Sequence, residues 1–304
     1  MRTFRTVPDS LAPILNVAEF RRCLGLWARA SSRDLPWRNT RDPWAVLVSE
    51  VMLQQTQVAR VVDKYRAFLR QFPTVAACAD ASVASVIEQW AGLGYNRRAV
   101  MLHHLARAVV MRHGGALPDD LTELLDLPGV GPYTARAVLA FAFERDVAVL
   151  DTNVGRVLAR VGGRRLAPSA AQAQADRLVA AGTGWAWNQA MLDLGATVCT
   201  ARAPKCGACP LRNLCVFRGA GDDPAVGSAA VSGRQSRFAG SDRQGRGRLV
   251  AAMREGPLTA ADLASAAGWP DDEPRAQRAM ATLIIDGLAQ EVSATFRLPE
   301  PPLR

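Results

Sequence analysis

An all-α protein is what this sequence predicts, on three observations. Apolar residues recur at helical spacing, between short breaks, through residues 17–217. Alternating apolar and polar runs of the strand type are hard to find in the same stretch. One helix start is explicit: Asp42 precedes Pro43, an acid able to cap and a proline in the first helical position.

The helix after Pro43 runs through WAVLVSEVMLQQ and is apolar on most sides, so burial is expected. Further helices are expected over 57–70, 82–91, 97–113, 119–125, 132–143, 152–161, 170–181 and 185–196. Residues 218–245 are rich in Gly, Ser, Ala and Arg and read as a flexible linker. Residues 246–298 regain pattern as three helices and a short hairpin, a winged-helix-like module. Such a module is either a packing appendage or a nucleic-acid contact. The expected division is a body at 1–217, a linker at 218–245 and a C-terminal module at 246–304. The chain shows no internal repeat.

Composition narrows the function classes. With 49% hydrophobic and 21% charged residues, this is an ordinary globular chain. No apolar run approaches a membrane span, and the N-terminal apolar stretch is too short and broken for a secretory signal. A cytoplasmic protein is the default. Net charge is +9. Residues 1–217 hold 26 basic and 17 acidic groups, whereas 218–304 are balanced. The surplus favours a polyanion such as nucleic acid and places its footprint on the first 217 residues and the linker. Lysine is nearly absent, limited to Lys64 and Lys205.

Of six cysteines, Cys23 and Cys78 sit alone in helical patterns and read as small core residues. The others, Cys199, Cys206, Cys209 and Cys215, are spaced Cys-x6-Cys-x2-Cys-x5-Cys. In a reducing compartment such a group binds metal more often than it forms disulfides. Four thiolates suit zinc or an iron–sulfur cluster, and spacing alone leaves both open.

Leu127-Pro-Gly-Val-Gly131 joins one helix to another that begins at Pro132. Gly129, Val130 and Gly131 would place the unpaired N–H groups of that helix start against an anion such as a DNA phosphate. Asp151 follows the apolar run VAVL and precedes a helix, where a carboxylate is held as the anion; a simple cap is the plain alternative. Glu50 has apolar neighbours on nearly every side, so it either pairs with a buried cation or has a raised pKa suited to a general acid. A neutral acid and an ionised carboxylate are the pair that cleaves a glycosidic bond: one protonates the leaving group, the other steadies the sugar cation. A base in a duplex must also leave the stack to reach them.

In these residues the chain resembles the helix-hairpin-helix DNA glycosylases of the endonuclease III superfamily, and within them the adenine DNA glycosylases. The resemblance covers about 25–217. It rests on DLPWR (34–38), SEVMLQQTQV (49–58), GLGY (92–95), LPGVGPYTARAV (127–138), LDTNVGRVLAR (150–160) and NQAMLDLGATVCT (188–200) with the cysteine quartet. It implies a two-lobed fold with a 4Fe–4S cluster on the four cysteines. It implies a monomer acting on double-stranded DNA that holds adenine mispaired with 8-oxoguanine or guanine.

By the same resemblance, Glu50 is the acid on adenine and Asp151 the carboxylate at the sugar, assisted by Tyr133 and Asn153. Arg33, Leu35, Trp37, Arg38, Leu53, Gln189 and Leu192 would line the adenine pocket. Trp37, Leu53 and Leu192 also suit a plain core. Gln55, Thr56, Leu93 and Tyr95 would meet the opposing base, with Tyr95 as the wedge. Endonuclease III-like enzymes have lysine where this chain has Tyr133, which implies a monofunctional glycosylase using water. Asn96 stands where the family often has a second tyrosine. Residues 246–304 are too short and too helical for the family's MutT-like domain. Two other readings compete: a glycosylase for another mismatched base, such as thymine opposite guanine, and a non-catalytic cluster-bearing DNA-binding protein.

Overall fold

The computed structural model describes residues 16–231 and 237–300. The N-terminal stretch read for a signal and the middle of the expected linker lie outside these residues. Helix α1 spans Val17–Ser31, α2 Pro43–Leu53, α3 Val58–Gln71, α4 Val75–Asp80 and α5 Val83–Gln89. Then come α6 (Arg97–His113), α7 (Leu121–Leu125), α8 (Pro132–Phe141), α9 (Thr152–Gly162), α10 (Pro168–Leu178) and α11 (Gly184–Thr197). The C-terminal part holds α12 (Asp242–Glu255), β1 (Leu258–Thr259), α13 (Leu263–Ala267), α14 (Glu273–Ile285), β2 (Gln290–Val292) and β3 (Thr295–Arg297). The all-α reading of the body is borne out. No helix among the described residues is long and apolar enough to cross a membrane.

The chain divides into two compact units: Met1–Asp34 with Leu139–Arg234, and Leu35–Val138 with Gln235–Arg304. The first is built on α1, α9, α10 and α11. Its core joins Phe20 and Leu24 of α1 to Leu158, Leu178, Met191 and Leu194. Phe20 and Trp187 bring their rings to 5.5 Å. Helix α9 stops at Gly163, whose φ of 65° closes the last turn in the left-handed region that glycine tolerates.

In this unit the composition-based linker reading needs revision. Val216 N–H donates to Val161 O at 3.1 Å, and Ala229 N–H donates to Leu166 O at 2.8 Å. Asp223 pairs with Arg160 at 2.6 Å, and Ala225 is buried. Small residues that signal flexibility in isolation here allow close approach: a Cβ on Gly155 would lie 2.8 Å from Ala229 O. Residues 218–231 are therefore packed chain.

The second unit packs α2 to α7 around Trp44, Phe68, Phe72 and Trp90, with Phe68 and Phe72 rings 4.9 Å apart. Asp42 caps α2 as expected, accepting from Trp44 N–H at 3.0 Å. From Trp44 to Met52 every residue of α2 is buried. Helix α4 was not foreseen, because six residues are too few to show a period.

The C-terminal module belongs to this unit. Helices α12, α13 and α14 pack around Leu249, Met253, Leu263, Met280 and Leu283. Its antiparallel sheet has the order β1-β3-β2, with Leu258 opposite Phe296 and Glu291 opposite Phe296 on the other edge. That is a winged-helix arrangement, with one strand more than the expected hairpin. It begins four residues earlier than expected because Ser241 caps α12, accepting from Gln244 N–H. Arg254 donates to Ile87 O at 3.0 Å and Ala84 N–H to Pro299 O at 3.2 Å, fastening the module to α5.

Candidate active site

Glu50 lies on the closed helix α2 and is 4% exposed. Its partner comes from the hairpin helix: Tyr133 O–H donates to Glu50 Oε2 at 2.8 Å. A second bond joins the same helices, from Gln54 Nε2 to Thr134 Oγ1 at 3.4 Å. The hairpin therefore presents its first residues to the carboxyl. Gly129 has φ 76°, and a Cβ there would press to 3.1 Å on Met101. Val130 N–H is spent on Leu127 O, while Gly131 O starts the α8 ladder by accepting from Ala135 N–H.

Helix α2 ends abruptly after Glu50, and Arg98 holds the end. Its Nη1 donates to the carbonyls of Val51 (2.8 Å), Met52 (2.9 Å) and Gln54 (2.5 Å). These are the carbonyls a helix end leaves without partners. Burial draws the Arg98 pKa down to about 10, with the Tyr95 hydroxyl acting in the opposite direction. Arg98 was not anticipated; an arginine at the start of a helical pattern reads as surface.

The other carboxylate lies in the first unit. Asp151 caps α9, accepting from Asn153 N–H (2.8 Å) and Val154 N–H (2.7 Å), and from Asn153 Nδ2 at 2.7 Å. Asn153 is steadied in turn by Arg156, which donates to its Oδ1 at 2.8 Å and to Gly195 O at 2.7 Å. Gly195 is needed: a Cβ there would sit 2.5 Å from the Asn153 Cβ. Position at a helix start led to an expectation of a stabilised anion. The balance falls the other way: burial raises the Asp151 carboxyl above the usual aspartate range, against the pull of Val154, Asn153 and Arg156. Desolvation outweighs the helix start here.

The remaining expected residues are distributed over both units. Arg33 makes an ion pair with the buried Asp193 of α11 at 2.6 Å. Gln189 and Leu192, on the same helix, are half-buried. Leu35, Trp37 and Arg38 are buried around a 3-10 turn in the second unit, where Trp37 meets Tyr65 edge-on at 5.5 Å. Leu53 is half-buried at the end of α2. Gln55 and Tyr95 reach solvent with φ of 56° and 48°, and Thr56 Oγ1 accepts from Arg98 Nη2 at 3.0 Å. Leu93 is 4% exposed and lines the same surface as Gln55, Thr56 and Tyr95.

The four cysteine thiols line one cavity with Val157, Leu194 and Leu211. Among the described residues no group of three or more His, Cys, Asp or Glu is arranged to hold a single metal ion. The four thiols share one enclosed space. Burial pushes the Cys209 thiol up to about 11, so thiolates there need compensating positive charge of the kind iron supplies. Arg160 adds to it, donating to Cys199 Sγ at 3.4 Å and Thr200 O at 2.7 Å. Arg156 Nε donates to Cys199 O at 2.7 Å, which joins the loop to the Asp151 cap. Neither arginine was singled out from the sequence, since both lie in an ordinary helical pattern.

Comparison with known proteins agrees with this geometry. Residues 48–180 match the family described as the HhH-GPD superfamily base excision DNA repair protein. Residues 199–215 match the iron–sulfur binding domain of endonuclease III. Fold and site thus define a helix-hairpin-helix base-excision DNA glycosylase that carries a 4Fe–4S cluster. An adenine DNA glycosylase of Mycobacterium tuberculosis is 45% identical over 90% of this chain and 91% of its own length. The human adenine DNA glycosylase is 42% identical over 67% of this chain and 40% of its own. A structure titled as a thermostable thymine-DNA glycosylase superposes with a TM-score of 0.65 at 32% identity, over 67% of this chain and 96% of that one. The chain belongs to the adenine DNA glycosylase family, enzymes of base excision repair that act on DNA.

Proposed function

We propose that this enzyme excises adenine mispaired with 8-oxoguanine or guanine in double-stranded DNA, as a monomer, by a monofunctional mechanism that leaves the strand uncut. The observation that carries the reading is the Tyr133–Glu50 bond at 2.8 Å. A buried carboxyl held by a hydroxyl, with no amine at that hairpin position, equips the site for proton transfer and not for imine formation.

Glu50, as the acid, gives its proton to the adenine ring. The N-glycosidic bond breaks and the purine leaves with the electron pair. Asp151, ionised and oriented by Asn153, offsets the positive charge that develops on the sugar. Water adds at C1′ and its proton returns to a carboxylate, giving adenine and an abasic site. Arg33, Leu35, Trp37, Arg38, Leu53, Gln189 and Leu192 are proposed to hold the flipped adenine. Gln55, Thr56, Leu93 and Tyr95 are proposed for the opposing strand, and the Gly129–Gly131 hairpin for a phosphate. The cysteine loop holds the cluster and docks on DNA. The compartment proposed for this reaction is the cytoplasm.

Single-turnover excision on duplexes with A opposite 8-oxoguanine, A opposite G and T opposite G tests the substrate. The expected order places both adenine mispairs first, and faster release of thymine would overturn it. That alternative has a specific basis, because a thymine/uracil-DNA glycosylase of Pyrobaculum aerophilum is 40% identical over 67% of this chain. Borohydride tests the mechanism: a stable protein–DNA adduct would defeat the monofunctional assignment.

A further inference from the structure

Within the second unit, the C-terminal module and the loops after α2 and α5 enclose a cleft of about 1180 Å³. Sites for small molecules span roughly 300–1,000 Å³, so this one suits a polymer. Arg60, Arg97, Arg98, Arg243, Arg246 and Arg254 line it, against Asp286 as the one acid among its described lining residues. Pro128 and Gly129 of the hairpin border the same cleft. Two non-glycine residues with positive φ, Gln55 and Tyr95, also stand on it. Backbone strain of that kind collects at binding sites.

Arg243, from α12, has a particular setting. It donates from Nη1 to the Tyr95 hydroxyl at 2.8 Å. Its guanidinium lies 5.8 Å from the Tyr95 ring centre and 5.7 Å from that of Phe238. Both rings are accessible, Phe238 at 58% and Tyr95 at 36%. Accessible aromatic faces beside arginines are the usual platform for unstacked bases. The module that supplies Arg243 and Phe238 is fastened to α5 by the Arg254 and Ala84 bonds, so this wall is built in.

We propose that the cleft takes the DNA strand opposite the excised adenine, and that Arg243 is a specificity-determining residue for a guanine-type base on that strand. The inference rests on the mispair assignment above. An arginine fork matches the O6 and N7 acceptors on the edge of guanine, which cytosine and thymine lack; 8-oxoguanine carries a proton on N7 and offers O6 and O8 as acceptors instead. Tyr95 and Phe238 hold the fork in plane, and the Tyr95 hydroxyl gives it a resting partner when no base is present. A winged helix could instead bind DNA through the outer face of α14, where Arg278 is exposed and does not line the cleft.

The test is single-turnover excision of adenine opposite 8-oxoguanine, guanine, cytosine and an abasic analogue. It compares the wild-type chain with Arg243→Ala, Arg243→Lys, Tyr95→Phe and Arg278→Ala, with thermal unfolding as the control for folding. Arg243→Ala is expected to lower the preference for guanine-type over cytosine partners by about tenfold or more. Arg243→Lys keeps the charge and loses the fork, and the preference falls with it. Tyr95→Phe, which removes only the hydroxyl anchor, lowers the same ratio to a smaller extent. Arg278→Ala leaves the ratio unchanged. Full preference in Arg243→Ala, restoration by lysine (a phosphate contact), or a loss confined to Arg278→Ala would each overturn the inference. A wild-type enzyme that excises adenine without regard to its partner would remove the mispair assignment and this inference together. Preserved wild-type preference with an unaffected Arg243→Ala removes the inference alone.

Discussion

Glu50 and Asp151 are both carboxyls, and their surroundings separate them. Glu50 is enclosed on α2 with the Tyr133 hydroxyl as donor. Asp151 accepts two N–H groups and the Asn153 amide. Glu50→Gln keeps the shape and removes the transferable proton. Excision should fall by about 10²–10⁴-fold while binding to mispaired DNA survives, as a gel-shift titration would record. For Asp151 the sign matters. Burial sets its folded pKa above the unfolded one, so the folded state binds the proton more tightly. Stability from this group is then present below the unfolded pKa and declines as pH rises through the folded value. Asp151→Asn should unfold at a higher temperature than wild type at neutral pH, because asparagine still caps α9 and the buried charge is gone. The same variant should lose at least about a hundredfold in excision. In the wild type, activity on the acid side should fail at a pH above the ordinary aspartate range, since only the anion serves the sugar.

At the scale of elements, each carboxyl depends on how its helix is held, α2 by a distant arginine and α9 by its packing on α11. Arg98 bonds three carbonyls at the end of α2, and nothing local replaces it. Arg98→Ala should cost about 3 kcal/mol in chemical unfolding, the range for buried charged hydrogen bonds left unmade. The packing of α9 on α11 is as exacting. A methyl on Gly195 collides with Asn153, the residue that orients Asp151. Gly195→Ala should destabilise by about 1–3 kcal/mol and reduce excision more than adenine-site binding, which a comparison of single-turnover rate with Kd would separate. A loss of stability with normal excision would contradict the link between these helices and the carboxylate.

On the scale of the whole chain, the cluster loop is held from both sides. Arg156 and Arg160 bind its carbonyls from α9. The thiols face one cavity that Arg160, Lys205, Arg212 and Arg218 also line, so cationic side chains stand beside the place where thiolates would bind iron. Oxidative removal of the cluster should expose residues 199–217 to protease and abolish DNA binding, while the far-ultraviolet signal of the helices falls only modestly. DNA binding that persists at full strength without iron would exclude a docking role. The charge surplus of residues 1–217 adds a second whole-molecule expectation: affinity for DNA should fall steeply and log-linearly with salt.

What the residues determine in linear order is the chemistry that acts over a few positions. The Asp42-Pro43 cap, the LPGVG turn, the cysteine spacing and the enclosed Glu50 are all legible, because caps, turns and ligand sets are local. Composition misled at 218–231, where small residues signalled flexibility and tertiary packing made them close contacts. The tertiary structure alone decided the partners far apart in the chain. Arg98 reaches Val51 across 47 residues, Arg243 reaches Tyr95 across 148, and Arg33 reaches Asp193 across 160. Each is an arginine whose ordinary place is the surface. Its partner is set by which elements share a unit, a property of the packed core that no local pattern encodes.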